Sequence, residues 1–154
     1  MELPAPRFTI WPLGRDKFWI SSFFGWRSDR RRGRRFHYGL DLAAPKGTGI
    51  RTVAAGLVLE ARYAPGYGNT VLVQHSPKLK TRYAHLHKIY VKVGQRIDQG
   101  ELVGVVGNTG FVVRSGRGDA SHLHFEVYDG KQQVNPLKFL PKQRCRILRG
   151  TRAN

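Results

Sequence analysis

The sequence predicts a mainly β, antiparallel domain with few or no helices. Short runs rich in valine, leucine and tyrosine recur along the chain, and glycine-containing turns divide them. No long apolar period of 3.6 residues interrupts that pattern. Residues 56–63 form the first candidate strand, closed by the Pro65-Gly66 turn. Residues 70–75 follow, with the run Val71-Leu72-Val73-Gln74 ending in His75. Candidate strands at 79–85 and 89–93 come next, and Asp98-Gln99-Gly100 supplies the turn before 102–106. The last strand, 122–128, alternates His122 and His124 with Leu123 and Phe125 before the Asp129-Gly130 turn. A period of two places both histidines on one strand face and the apolar pair on the other.

Five of the six histidines fall in three short clusters: His37-Tyr38-Gly39-Leu40-Asp41, Tyr83-Ala84-His85-Leu86-His87 and His122-Leu123-His124-Phe125-Glu126. Each motif alone is unremarkable, since H-x-H is usual on half-exposed strands and H-x-x-x-D can be an ordinary ion pair. Together they offer imidazole nitrogens and a carboxylate, the ligand chemistry of a catalytic zinc site with one position left open for water. The combination points to a zinc hydrolase. Glu126 shares the strand face of His122 and His124, where it either orients an imidazole or is a surface glutamate. His87 follows His85 by two, so a regular strand would aim both the same way; His87 and His75 are read as structural.

Composition bounds the alternatives. A chain of 154 residues is one domain, long enough for a hydrophobic core. Lys+Arg 27 against Asp+Glu 10 gives a net charge of +17, a field that attracts polyanions. The densest run is Arg30-Arg31-Arg32-Gly33-Arg34-Arg35, just before His37; a second spans Lys142, Arg144, Arg146, Arg149 and Arg152. The first reads as a docking patch at the lip of the site and the second as a basic tail. A phosphate-tracking β domain fits the charge but leaves the histidine clusters without a use, so no specific nucleic-acid partner is expected. The single cysteine, Cys145, excludes an internal disulfide and a cysteine-based zinc knuckle. The Arg117-Gly118-Asp119 triplet is too short to carry an adhesion function.

Several motifs, in order, resemble those of the M23 (lysostaphin and LytM type) zinc metallopeptidases, which cut the peptide cross-links of bacterial peptidoglycan. They are Ser21-Ser22-Phe23-Phe24-Gly25-Trp26-Arg27, His37 through Thr48, Gly66-Tyr67-Gly68-Asn69 and Thr81 through Leu86. Gly107-Asn108-Thr109-Gly110, His122 through Glu126 and Val134-Asn135-Pro136 complete the set. The resemblance implies a two-layer antiparallel β-sheet domain with a metal-containing groove. It implies that His37, Asp41 and His124 hold Zn2+, and that His85 and His122 are unligated catalytic histidines, leaving open which is the general base. The implied partners are peptidoglycan peptide stems, with anionic cell-wall polymers as a further possibility. The function expected is hydrolysis of cross-links of D,D type. The alternative is a catalytically silent LytM-like protein that binds wall or activates an amidase; such members usually lack one or more of these five residues.

The chain departs from the family pattern at 111–121, eleven residues where a shorter stretch is common, and at Ala120-Ser121 in place of Gly-Pro. The residues between Trp26 and Phe36 hold no counterpart of the transition-state tyrosine found in some lysostaphin-like members. The segment 93–104 also resembles lipoyl and biotinyl carrier hairpins, without a modifiable lysine at the tip. The expected organisation is an N-terminal extension at 1–20, the peptidase domain at 21–140 and a basic tail at 141–154. Residues 1–18 lack the pattern of a signal peptide and nothing is long enough to span a membrane. A monomer in the periplasm, at the cell envelope or secreted is expected, with the export signal not present in this chain.

Overall fold

The computed structural model describes residues 8–113 and 118–142. Twelve strands run in order: β1 (Trp19–Ser22), β2 (Gly25–Asp29), β3 (Gly33–His37), β4 (Leu40–Ala43), β5 (Gly49–Arg51), β6 (Gly56–Ala64), β7 (Gly68–Gln74), β8 (Leu79–Ile89), β9 (Arg96–Ile97), β10 (Leu102–Val106), β11 (His122–Asp129) and β12 (Gln132–Val134). Helix is confined to one 3-10 turn, Pro136–Lys138, whose N-cap Asn135 accepts from the Leu137 N–H. All pairings are antiparallel, as the alternation in the sequence predicts.

Ten strands form one sheet, with the path β1-β4-β11-β8-β7-β6-β9 and β10 linking β8 to β5; β2 and β3 make a separate two-stranded hairpin. The long strand β8 joins the two layers. Its residues 79–84 pair with β11 and its residues 86–89 with β10. One apolar cluster lies between, built from Leu40, Leu42, Ile50, Val58, Val71, Val73, Tyr83, Leu86, Val106, Leu123 and Phe125. Burying each large apolar side chain is worth about 1.5–3 kcal/mol relative to leaving it in water.

The candidate strands at 56–63, 70–75, 79–85, 102–106 and 122–128 fall on β6, β7, β8, β10 and β11. Residues 89–93 do not form a strand of their own. Ile89 ends β8, and the chain turns at Val93-Gly94, where Gly94 has φ 86° and donates its N–H to Val58 O. A left-handed glycine there takes the backbone out of any ladder. The short strands β1 to β5, β9 and β12 carry too few residues to show a period of two in sequence.

Phe8, Trp11 and Leu13, from the segment before residue 20, are buried in the common cluster. The Phe8 N–H donates to Phe139 O at 2.8 Å and Trp11 Nε1 to Pro141 O at 3.1 Å. The basic tail beyond Lys142, with Cys145, lies outside the described residues, as does Arg117. Among the described residues no helix is long and apolar enough to cross a membrane.

Candidate metal centre

Three strands deliver the donors, two of them adjacent in sequence and the third far from both. His37 ends β3, Asp41 lies on β4 and His124 on β11; β4 and β11 pair so that His124 stands opposite Asp41. All three side chains are buried. His37 Nε2 is 3.2 Å from Asp41 Oδ1 and 3.2 Å from His124 Nδ1, and His124 Nδ1 is 2.8 Å from Asp41 Oδ1. Gly39 makes the approach possible, because a Cβ there would stand 2.7 Å from both His124 Cε1 and Phe125 O.

The outer nitrogens of both imidazoles are already committed. His37 Nδ1 donates to Phe23 O at 2.8 Å, and His124 Nε2 donates to Glu126 Oε1 at 2.9 Å. Each ring therefore turns a lone pair inward, toward a carboxylate oxygen. Three acceptors converging on one buried point repel each other unless a cation lies between them, and two imidazoles with a carboxylate suit a zinc-like ion. Without a metal, a proton takes that place among the described residues, since the Arg27 guanidinium approaches only the outer oxygen, Asp41 Oδ2, at 3.9 Å. Burial pulls the His124 imidazole down, but hydrogen bonds to Asp41 and Glu126 and their charges lift it to about 9. Burial likewise opposes ionisation of Asp41, and the hydrogen bonds to His124 and His37 hold it well below the usual carboxylate range.

Glu126 is 1% exposed, so it is the orienting partner and not a surface residue. It accepts from Tyr67 Oη at 3.0 Å and Tyr128 Oη at 2.5 Å, and Arg82, its cross-strand neighbour, has Nε 3.8 Å away. Arg82 Nη1 continues to Glu60 Oε2 at 2.9 Å, and its guanidinium lies over the Tyr67 ring at 4.6 Å. Burial works against the Glu126 charge, yet the hydrogen bonds from His124, Tyr128 and Tyr67 outweigh it and keep the carboxyl ionised. Sequence reasoning missed Tyr67, Arg82 and Tyr128. The period of two on β11, running from His124 through Glu126 to Tyr128, was the available signal for the last.

Across the centre stand His85 and His122, their rings 4.9 Å apart. His85 Nδ1 donates to Thr109 O at 2.8 Å and His122 Nδ1 to Ala120 O at 2.9 Å, so both present a bare Nε2. His122 Nε2 is 3.9 Å from Asp41 Oδ1. Burial, then the proximity of His122 and His124, pushes the His85 imidazole down to about 4.

His85 has φ 65°, the one non-glycine residue among those described in the left-handed region. Such a conformation costs of order 1 kcal/mol and persists only where the surroundings enforce it. The β7–β8 register slips there, from Val71↔Tyr83 to Asn69↔Leu86. Tyr67 O accepts the His85 N–H at 2.8 Å, while Thr109 Oγ1 and Asn69 Nδ2 donate to Leu86 O at 2.8 and 3.0 Å. The bulge also breaks the expectation that His87 points with His85: His85 is buried and His87 exposed. His75 is structural, with Nδ1 donating to Ala55 O and Nε2 2.8 Å from Thr81 Oγ1.

Residues 35–136 match the sequence profile of peptidase family M23, well over half of the 154 residues. The chain belongs to peptidase family M23. It is 41% identical over 102 residues to the peptidoglycan DD-endopeptidase ShyA of Vibrio cholerae, covering 66% of this chain and 22% of that protein. It is 38% identical over 131 residues to the DD-carboxypeptidase/endopeptidase Mpg of Neisseria meningitidis serogroup B, covering 84% of this chain and 28% of Mpg. The crystal structure of a zinc-containing peptidase from Vibrio cholerae superposes with a TM-score of 0.77 at 34% identity, over 88% of this chain and 41% of that one. The chain thus spans less than a third of the length of these curated relatives.

Proposed function

We propose that this M23 chain is a zinc-dependent endopeptidase that hydrolyses peptide cross-links of bacterial peptidoglycan, of D,D type. The observation that carries the reading is the inward convergence of His37 Nε2, Asp41 Oδ1 and His124 Nδ1, opposite two imidazoles with bare Nε2 atoms. In this reading His37, Asp41 and His124 hold Zn2+. The ion, when bound, acidifies a water and polarises the scissile carbonyl.

The chain's own residues supply the proton transfers and the positioning. Glu126 and Phe23 O fix the ring planes and tautomers of the two ligating imidazoles. His85, neutral at pH 7 because of its burial, takes or returns a proton at Nε2, and His122 does the same or hydrogen-bonds the developing oxyanion. Their backbone anchors, Thr109 O and Ala120 O, hold both Nε2 atoms toward the centre without a motion at the moment of reaction. ShyA and Mpg support the substrate class. In this reading the chain works as a monomer in the periplasm, at the envelope or outside the cell.

The test is digestion of purified sacculi with muropeptide analysis, using wild type, His124→Ala and chelator-treated protein. Cross-linked dimers are expected to disappear with wild type alone. Sacculi bound but left intact in every sample would replace this reading with a silent wall-binding protein.

A further inference from the structure

The β2–β3 hairpin ends at the metal centre, since its last residue is His37. Directly opposed residues of an antiparallel pair share a face. The register pairs Gly25 with His37, Arg27 with Arg35 and Asp29 with Gly33. His37, Arg35 and Arg27 therefore share the face that brings the His37 imidazole to the centre. The other face is occupied differently. There Phe36 meets Trp26 edge-on at 5.4 Å, and the Arg34 guanidinium lies over the Trp26 ring at 4.6 Å. Arg34 is engaged; Arg27 and Arg35 stand directly opposite each other with like charge, an arrangement that costs stability unless an anion joins them.

Among the described residues no carboxylate joins the two guanidiniums. Arg27 Nη1 donates to Ser22 Oγ at 2.9 Å. It also forms a long ion pair with Asp41 Oδ2 at 3.9 Å, beyond hydrogen-bond reach, while Asp41 turns Oδ1 to the two imidazoles. Asp29 is spent at the hairpin tip, where Oδ1 accepts from the N–H groups of Arg31 and Arg32. Arg35 is exposed and makes no ion pair or side-chain hydrogen bond with described residues; the Arg27 side chain is 49% exposed. Arg27 thus stands beside the metal centre on its Asp41 side with donors to spare, and Arg35 lies opposite it on the same hairpin face.

We propose that Arg27 and Arg35 form a clamp for a substrate carboxylate, the free α-carboxylate of the residue whose nitrogen is the leaving group. The proposal rests on the D,D-endopeptidase reading. In a D,D bond the leaving residue keeps a free carboxylate on the carbon attached to the scissile nitrogen. In a glycine bridge the corresponding carbonyl is already bound in the next amide. The guanidinium fork matches a carboxylate with two parallel N–H···O bonds, which an ammonium does not reproduce. The clamp therefore selects the bond as well as holding the substrate: cleavage falls where a free carboxylate lies one atom beyond the scissile nitrogen.

Two synthetic peptides test it, identical in their scissile D,D bond, one ending in the free carboxylate and one in the primary carboxamide. kcat/KM is measured for wild type, Arg27→Gln, Arg35→Gln and Arg27→Lys at equal zinc content. Wild type is expected to favour the carboxylate about tenfold or more, the scale of a hydrogen-bonded charge. In each Gln variant that ratio falls toward one, chiefly through KM, and Arg27→Lys recovers only part of it. A wild-type ratio near one overturns the clamp. So does an equal loss on both peptides in Arg27→Gln, which would make Arg27 a positioning residue acting through Asp41. If wild type cleaves neither peptide nor sacculi, the endopeptidase reading fails, and the guanidinium Nε–H signals of Arg27 and Arg35 decide the clamp separately. Their displacement by the carboxylate peptide but not the carboxamide upholds it; no displacement by either overturns it.

Discussion

His124 has both ring nitrogens assigned, Nε2 to Glu126 and Nδ1 to the converging donors, so its inward nitrogen depends on that neighbour. Glu126→Gln removes the charge that keeps Nδ1 basic. It is expected to weaken zinc affinity by about 10–100-fold, read by competition with a chromogenic chelator. His85→Ala should instead retain the metal while kcat falls by about two to four orders of magnitude, the usual contribution of a positioned acid or base. Metal loss in that variant would contradict the separation of roles. The imidazoles also set an acid limit. Burial lowers both His75 and His85 below the ordinary imidazole value of 6.5, His85 to about 4, so between those values the unfolded chain binds protons that the native chain refuses. Stability is therefore expected to fall as the pH drops through that window, measured as urea unfolding free energy. A flat profile would contradict the burial of these rings. His124, lifted to about 9, is protonated in both states there and does not alter the sign.

Strand β8 does two tasks, carrying core residues Tyr83 and Leu86 and presenting His85 between them at a left-handed bulge. Thr109, from the loop of the G-N-T-G motif, and Asn69, at the start of β7 in the G-Y-G-N motif, hold that bulge. Thr109→Ala leaves the Leu86 carbonyl one donor short and the Asn69 N–H without its acceptor. The expected cost is about 1–3 kcal/mol of stability, with a fall in kcat larger than any change in zinc affinity. Thermal unfolding and chelator competition on one preparation separate the two effects. The same motifs were visible as sequence, but their task was not. A period of two predicts His85 and His87 on one side, and only the slipped register shows why they part.

The three converging donors come from the hairpin strand β3, from β4 and from β11, so the centre exists only once these strands have come together. An ion that binds there binds the folded chain alone and adds RT ln(1 + [L]/Kd), roughly 2.7 kcal/mol at a hundredfold excess over Kd. Chelation is accordingly expected to lower the Tm of wild type and to leave that of His124→Ala where it was. An equal Tm for wild type with and without chelator would count against a metal shared by distant strands.

The sequence by itself determined the β class, the main strands 56–63, 70–75, 79–85, 102–106 and 122–128, and the three histidine clusters, from which the resemblance to M23 motifs singled out five side chains. These are local or compositional signals: a period of two, turn glycines, and rare residue types held in short motifs. Tertiary structure decided what depends on pairing across the chain. It buried Glu126 beneath His124 with Tyr67, Arg82 and Tyr128 around it, turned 89–93 away from a ladder, and set Arg27 against Arg35. Which atoms face each other across strands is fixed by register and closure, and neither leaves a mark on any single segment.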